Sequence, residues 1–275
     1  MTRDDGVTLR ACLLGTGSSG GVPRVGNDWG ACDPGEPRNR RRRCGLLLER
    51  RQPSGEGPTR LLIDTPPDLR EQLLDARVDA LDAVAFTHDH ADQTHGIDDV
   101  RALALRQRRP IQAYLDDPTA ESLVAKFRYC FEGDGGYPPI LDRQPYLEPG
   151  QRFTVTGAGG PIEVLPLALE HGPIRSLGFR IGDFAYCNDV SSIPDTAMRA
   201  LEGVEVFVVD ALRRRPHPTH AHLEQALDWA AHLKPRLTVL TNLHVDMDYR
   251  TLMAELPDGV IPGHDGLWLD VPGAP

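Results

Sequence analysis

Cysteine is scarce in this sequence. There are five, Cys12, Cys32, Cys44, Cys130 and Cys187, an odd number, scattered, with no CxxC pair. That pattern excludes a disulfide-framed secreted scaffold and suits reduced, mostly core thiols in a cytoplasmic protein. Cys32 stands alone in the first long loop, and one thiolate cannot build a tetrahedral zinc site, so no structural zinc is expected there. Long apolar runs are missing too, and the opening MTRDDG lacks the charged-then-apolar pattern of a secretory leader. A membrane location is therefore not expected. Positive charge is in deficit: 30 Lys and Arg stand against 40 Asp and Glu, a formal net charge of −10. Phosphate-rich surfaces reward excess Lys and Arg, so a nonspecific nucleic-acid binder is excluded. One basic run, RNRRRRC from Arg38 to Cys44, breaks the trend. It reads as a solvated loop, with a local anion-steering patch as the alternative.

No exact repeat and no long linker interrupts the chain, so residues 1–275 read as one domain, large enough to bury a sizeable core. Short apolar runs predict strands over 7–15, 44–50, 60–64, 82–87, 111–115, 162–169, 177–182, 184–189, 204–211 and 236–242. Helical spacing predicts helices over 67–77, 97–108, 117–130, 194–202, 221–233 and 248–255. Both halves run strands first and then strand–helix units. That order predicts an α/β fold with a two-sheet core flanked by helices.

The segment AFTHDHADQTHG, residues 85–96, is the densest polar stretch. It starts where the strand DAVAFT ends, and α/β folds gather ligands at the carboxyl ends of strands. His88 and His90 can grip one ion through imidazole nitrogens, and Asp92 adds an oxygen ligand. His171, Asp189 and His244 each sit just past another predicted strand, so all can converge on one rim as a two-cation site. His95 falls at the start of the next helix, where a two-residue step from Gln93 turns its side chain about 200° away. In PTHAHLEQAL, Thr219 is a candidate cap of the helix that follows, next to His220 and His222. Asp210, ending VEVFVVD, is placed to orient a catalytic histidine. His217, His232 and His264 read as ordinary loop or helix histidines. GTGSSG at 15–20 matches a dinucleotide fingerprint by letter only. It runs into GVPRVGNDWG and opens no helix, so that reading is rejected.

HDHAD after a strand, then His, Asp and His at later strand ends, resembles the metallo-β-lactamase superfamily. The segments GTGSSGGVPR, PRNRRRRC, THGIDDVR, CNDVSSIP and TNLHVDMDY resemble its branch of phosphoribosyl cyclic phosphate phosphodiesterases and ribonuclease Z, over nearly the whole chain. The resemblance implies a four-layer αββα sandwich and two divalent ions, zinc or manganese. His88, His90 and His171 would take the first ion; Asp92 and His244 would take the second, with Asp189 bridging. Asp64 corresponds to an acidic motif behind the ligands. A histidine of PTHAHLEQAL would face the scissile phosphate, His220 first and His222 second, and His220 would protonate the leaving alkoxide. The family position after Asp92 is usually histidine; here it is Gln93, a poorer zinc ligand, so a weaker or harder second ion is expected.

The implied activity is metal-dependent hydrolysis of a small phosphodiester, a cyclic phosphate or nucleotide-like molecule, with Arg175 or Arg38–Arg43 holding a second phosphate. Three other readings stand beside it. One is ribonuclease Z-like RNA processing, against which no long basic arm is present. Another is an accessory protein with a partly decayed metal site. The third is thioester or lactam hydrolysis at the same centre. No membrane or nucleic-acid partner is expected, and a homodimer is the assembly carried forward.

Overall fold

The computed structural model describes residues 6–53 and 55–273, so the leader reading on Met1–Asp5 lies outside the described residues. The first half runs β1 (Thr8–Gly15), β2 (Gly45–Arg51), β3 (Thr59–Ile63), α1 (Leu69–Asp75), β4 (Ala83–Ala85) and α2 (Ala91–Thr94). It continues with a 3-10 turn (Ile97–Val100), α3 (Arg101–Gln107), β5 (Ile111–Tyr114), α4 (Asp117–Lys126), α5 (Arg128–Glu132) and β6 (Leu141–Arg143). The second half opens with β7 (Phe153–Val155), β8 (Ile162–His171), β9 (Ile174–Ile181), β10 (Phe184–Cys187), α6 (Asp195–Leu201) and β11 (Val206–Asp210). It closes with α7 (Leu223–Leu233), β12 (Leu237–Thr241), α8 (Tyr249–Glu255), β13 (Val260–Pro262) and β14 (Leu267–Asp270).

Two seven-stranded sheets form, in the orders β14-β1-β2-β3-β4-β5-β6 and β13-β12-β11-β10-β9-β8-β7. Alternation along β2 shows how the layers arise. Leu46 and Leu48 face the partner sheet and join Phe179, Phe184, Tyr186 and Val208 in the central core. Leu47, between them, faces out and packs with Leu69 of α1, Leu103 of α3 and Leu123 of α4. On the second sheet, Phe207 and Val209 face out under Ala197 and Leu201 of α6, Ala226 of α7 and Leu252 of α8. The result is helix, sheet, sheet, helix. Sheets covered on both faces explain why the strands read as continuous apolar runs.

Four strands, β6, β7, β13 and β14, escaped the sequence reading, and all four are sheet edges. Three or four residues are too few to show period-two alternation, and their pairing comes from the neighbouring strand. At the opposite extreme, β3 to β6 run parallel, as do β10 to β13, so their carboxyl ends gather at one rim. Backbone bonds join the two sheets there: Leu177 N–H donates to Thr87 O (2.8 Å) and Leu243 N–H to Thr16 O (2.8 Å). No helix among the described residues is long and apolar enough to cross a membrane.

Candidate metal centre

Three strands end in the same way at this rim. Asp64 after β3, Asp189 after β10 and Asn242 after β12 have φ of 65°, 51° and 60°. Asp and Asn are the non-glycine residues that best tolerate this left-handed region. Each turn ends its strand and puts a short polar side chain on the rim.

His88 and His90 follow β4, and His171 closes β8. One nitrogen from each lies within 4.8 Å of the others, with ring centroids 4.4 to 5.1 Å apart. Hydrogen bonds settle the tautomer of His171. Its Nδ1 is 2.6 Å from the Thr219 carbonyl, which only accepts, so Nδ1 carries the proton and Nε2 keeps its lone pair. His88 has Nδ1 3.0 Å from Thr87 Oγ1, while its Nε2 is buried without a hydrogen-bond partner. An orphaned buried nitrogen costs about 1–3 kcal/mol unless something binds it. Burial, and then the neighbouring His90, holds the His88 imidazole well below the usual histidine range. Burial, and then His220, pushes His171 down to about 4. Neutral imidazoles with free lone pairs, one of them orphaned, fit a divalent cation.

Behind them, Asp64 accepts from Thr87 N–H (2.8 Å) and Thr87 Oγ1 (2.9 Å), so it fixes the residue that touches His88. Asp64 is fully buried, and burial pushes its carboxyl up to about 8 despite those two bonds.

Asp189 lies in the other half of the site. His171, Asp189 and His220 present ligand-type atoms within 4.8 Å of one another. The His220 ring lies 4.7 Å from that of His171, and its Nδ1 is 2.8 Å from Asp210 Oδ2. Burial opposes protonation of His220, but the Asp210 carboxylate outweighs it and lifts the imidazole to about 9. Asp92 is half-buried, with Oδ2 3.5 Å from Gln93 Nε2. Gln93 itself donates to Asp189 Oδ2 at 2.9 Å.

Other candidate residues are taken up by contacts outside the two ligand-atom groups. His244 is not brought to the cluster. Its Nδ1 faces Asp246 Oδ1 (3.0 Å) and its Nε2 faces the Arg24 guanidinium (3.4 Å), so the protein occupies both ring nitrogens. His222 sits at the N-terminus of α7, with no hydrogen bond or ring contact to the cluster among the described residues. Arg175 is tied to Asp116 (2.8 Å). His95 lies edge-on to Phe127, exposed and away from the cluster. The arginine run is mostly held by acids, although Arg40 stays exposed over the Trp29 ring. Arg38 pairs with Glu36, Arg42 with Asp75 and Asp265, and Arg43 with Asp68, while Arg41 is buried against Asn39. The sequence reading passed over Asn242, whose Nδ2 reaches Asp189 Oδ1 at 3.4 Å, and Asn188, which donates to Asp189 Oδ2 at 2.6 Å. An Asx residue at the end of a predicted strand was the available signal. His244, two positions on, drew attention from it.

The family model of the beta-lactamase superfamily domain matches residues 59–242, from β3 through Asn242. The chain belongs to the metallo-β-lactamase superfamily. A diphosphatase of the PhnP family is 32% identical, with a TM-score of 0.85, covering 96% of this chain and 98% of its own. A protein of Porphyromonas gingivalis named octanoyltransferase is 32% identical over 263 residues, 94% of this chain. The chain spans about half, 51%, of that relative's length. The short form of human tRNase Z is 14% identical with a TM-score of 0.65, a likeness that shows the fold alone. The three histidines of the cradle, His88, His90 and His171, all lie within the span that the family model matches.

Proposed function

We propose that this superfamily member hydrolyses a small phosphodiester, a cyclic phosphate or nucleotide-like molecule, with zinc or manganese at the three-histidine cradle. The observation that carries the reading is His220, held on Asp210 with its ring 4.7 Å from a cradle histidine. His88, His90 and His171 would hold the divalent cation, which when bound would supply Lewis acidity for water activation and for developing negative charge. The chain supplies the proton. Nδ1–H of His220 is committed to Asp210, so Nε2 is the nitrogen that protonates the departing alkoxide. Thr219 sits one residue before His220 and binds His171 through its carbonyl, so one loop places both the acid and a ligand. Asp64 and Thr87 hold His88 from behind.

The PhnP-family neighbour supports phosphorus chemistry, and a net charge of −10 favours a small substrate over a large polyanion such as RNA. The test is a screen of cyclic phosphates, nucleotides, diphosphates and thioesters after supplementation with zinc or manganese. The highest kcat/KM is expected on a cyclic phosphodiester. A thioester hydrolysed faster than every phosphate ester would overturn the reading.

A further inference from the structure

The two carboxylates that would share a second cation already share something else. Gln93 is 1% exposed, and its Nε2 lies 2.9 Å from Asp189 Oδ2 and 3.5 Å from Asp92 Oδ2. Carboxylate oxygens only accept, so the amide must present its N–H2 to them. Its Oε1 is buried with no hydrogen-bond partner, so these carboxylates alone set its orientation. Asp189 takes two further amide donors, Asn188 Nδ2 on Oδ2 (2.6 Å) and Asn242 Nδ2 on Oδ1 (3.4 Å). Both of its oxygens are thereby engaged. The remaining expected ligand, His244, has both nitrogens on Asp246 and Arg24. The first site needs none of these groups, since His88, His90 and His171 assemble it themselves.

We infer that this centre holds a single divalent cation at His88, His90 and His171, and that the carboxamides of Gln93 and Asn242 take the place of the second. The arrangement replaces a dication between Asp92 and Asp189 with neutral N–H donors. Seating a cation there would require Asp189 to surrender its amide bonds and Gln93 to turn its oxygen inward. On this inference, the two-cation expectation from the sequence does not hold at these positions. The inference rests on the metal-binding reading of the cradle and is independent of the substrate.

The experiment reads metal directly. Full-length protein is stripped, loaded with excess Mn(II) or Zn(II), desalted and assayed by elemental analysis, with electron paramagnetic resonance on the manganese form. About one equivalent and an uncoupled Mn(II) spectrum are expected for the wild-type protein. The Gln93→His/Asn242→His variant is expected to move toward two equivalents with a spin-coupled signal. Two equivalents with a coupled signal in the wild type would overturn the inference. So would a His90→Ala protein that keeps its one equivalent, because the cation would then lie outside the cradle. No bound metal at all in the wild type would overturn the metal centre itself, and this inference with it.

Discussion

His220 donates from Nδ1 to Asp210 Oδ2 across 2.8 Å, and Asp210 is fully buried at the end of β11. A buried carboxylate in this position fixes the imidazole tautomer and aligns the ring. Asp210→Asn keeps the shape and removes the charge. We expect kcat on a chromogenic phosphodiester to fall roughly 10²–10⁴-fold, the usual worth of a positioned proton donor, with KM and metal content little changed. Wild-type kcat in that variant would remove His220 from the proton-donor role.

His90 and His95 separate ligand from bystander. His90 is exposed while its ring stacks edge-on with His88 and His171; His95 is exposed against Phe127. Neither holds up the core, so alanine at either position should leave a folded protein. His90→Ala is expected to drop bound metal below about a tenth of the wild-type content and to abolish turnover, whereas His95→Ala should leave both within about twofold. Elemental analysis with circular dichroism on the same samples decides between the two roles.

Much of this was legible in the sequence because strand ends are legible. The ten predicted strands correspond to the ten inner strands of the two sheets, and His88, His90, His171, Asp189 and Asp210 all fall at their carboxyl ends. What the sequence hid was direction and commitment. His244 follows β12 as expected, but Asp246 two residues later and Arg24 from a distant loop claim its nitrogens. Arg175 and Arg42 were likewise taken up by acids far away in sequence, Asp116 and Asp265. Such long-range pairings leave no local signal, whereas periodicity does.

Asp248 gives a pH dependence away from the centre. It caps α8 and accepts from Thr251 N–H (2.9 Å), Asp33 N–H (3.1 Å) and Asn39 Nδ2 (2.6 Å). Burial opposes its ionisation, yet these donors outweigh it and hold the carboxyl at about 2, against an ordinary 3.8. A folded-state value below the unfolded one gives stability that is full above the unfolded value and lost as pH falls through the folded one. The difference in unfolding free energy between wild type and Asp248→Asn should therefore be greatest above about pH 4 and close toward pH 2. Urea titrations across that range measure it, and a difference that widens on acidification would contradict the assignment.

Metal should stabilise the fold as well as serve its chemistry. The cradle joins β4 of one sheet to β8 of the other, and its His88 Nε2, buried without a partner among the described residues, would gain one from a bound cation. A ligand that binds only the folded state adds RT ln(1 + [L]/Kd), about 2.7 kcal/mol at 100 times Kd. For a chain of this size that corresponds to a rise in melting temperature of roughly 5–10 °C. Chelation should reverse the shift, and His90→Ala should show none. A melting temperature in the wild type that ignores both zinc and chelator would mean that the three imidazoles do not bridge the sheets through a cation.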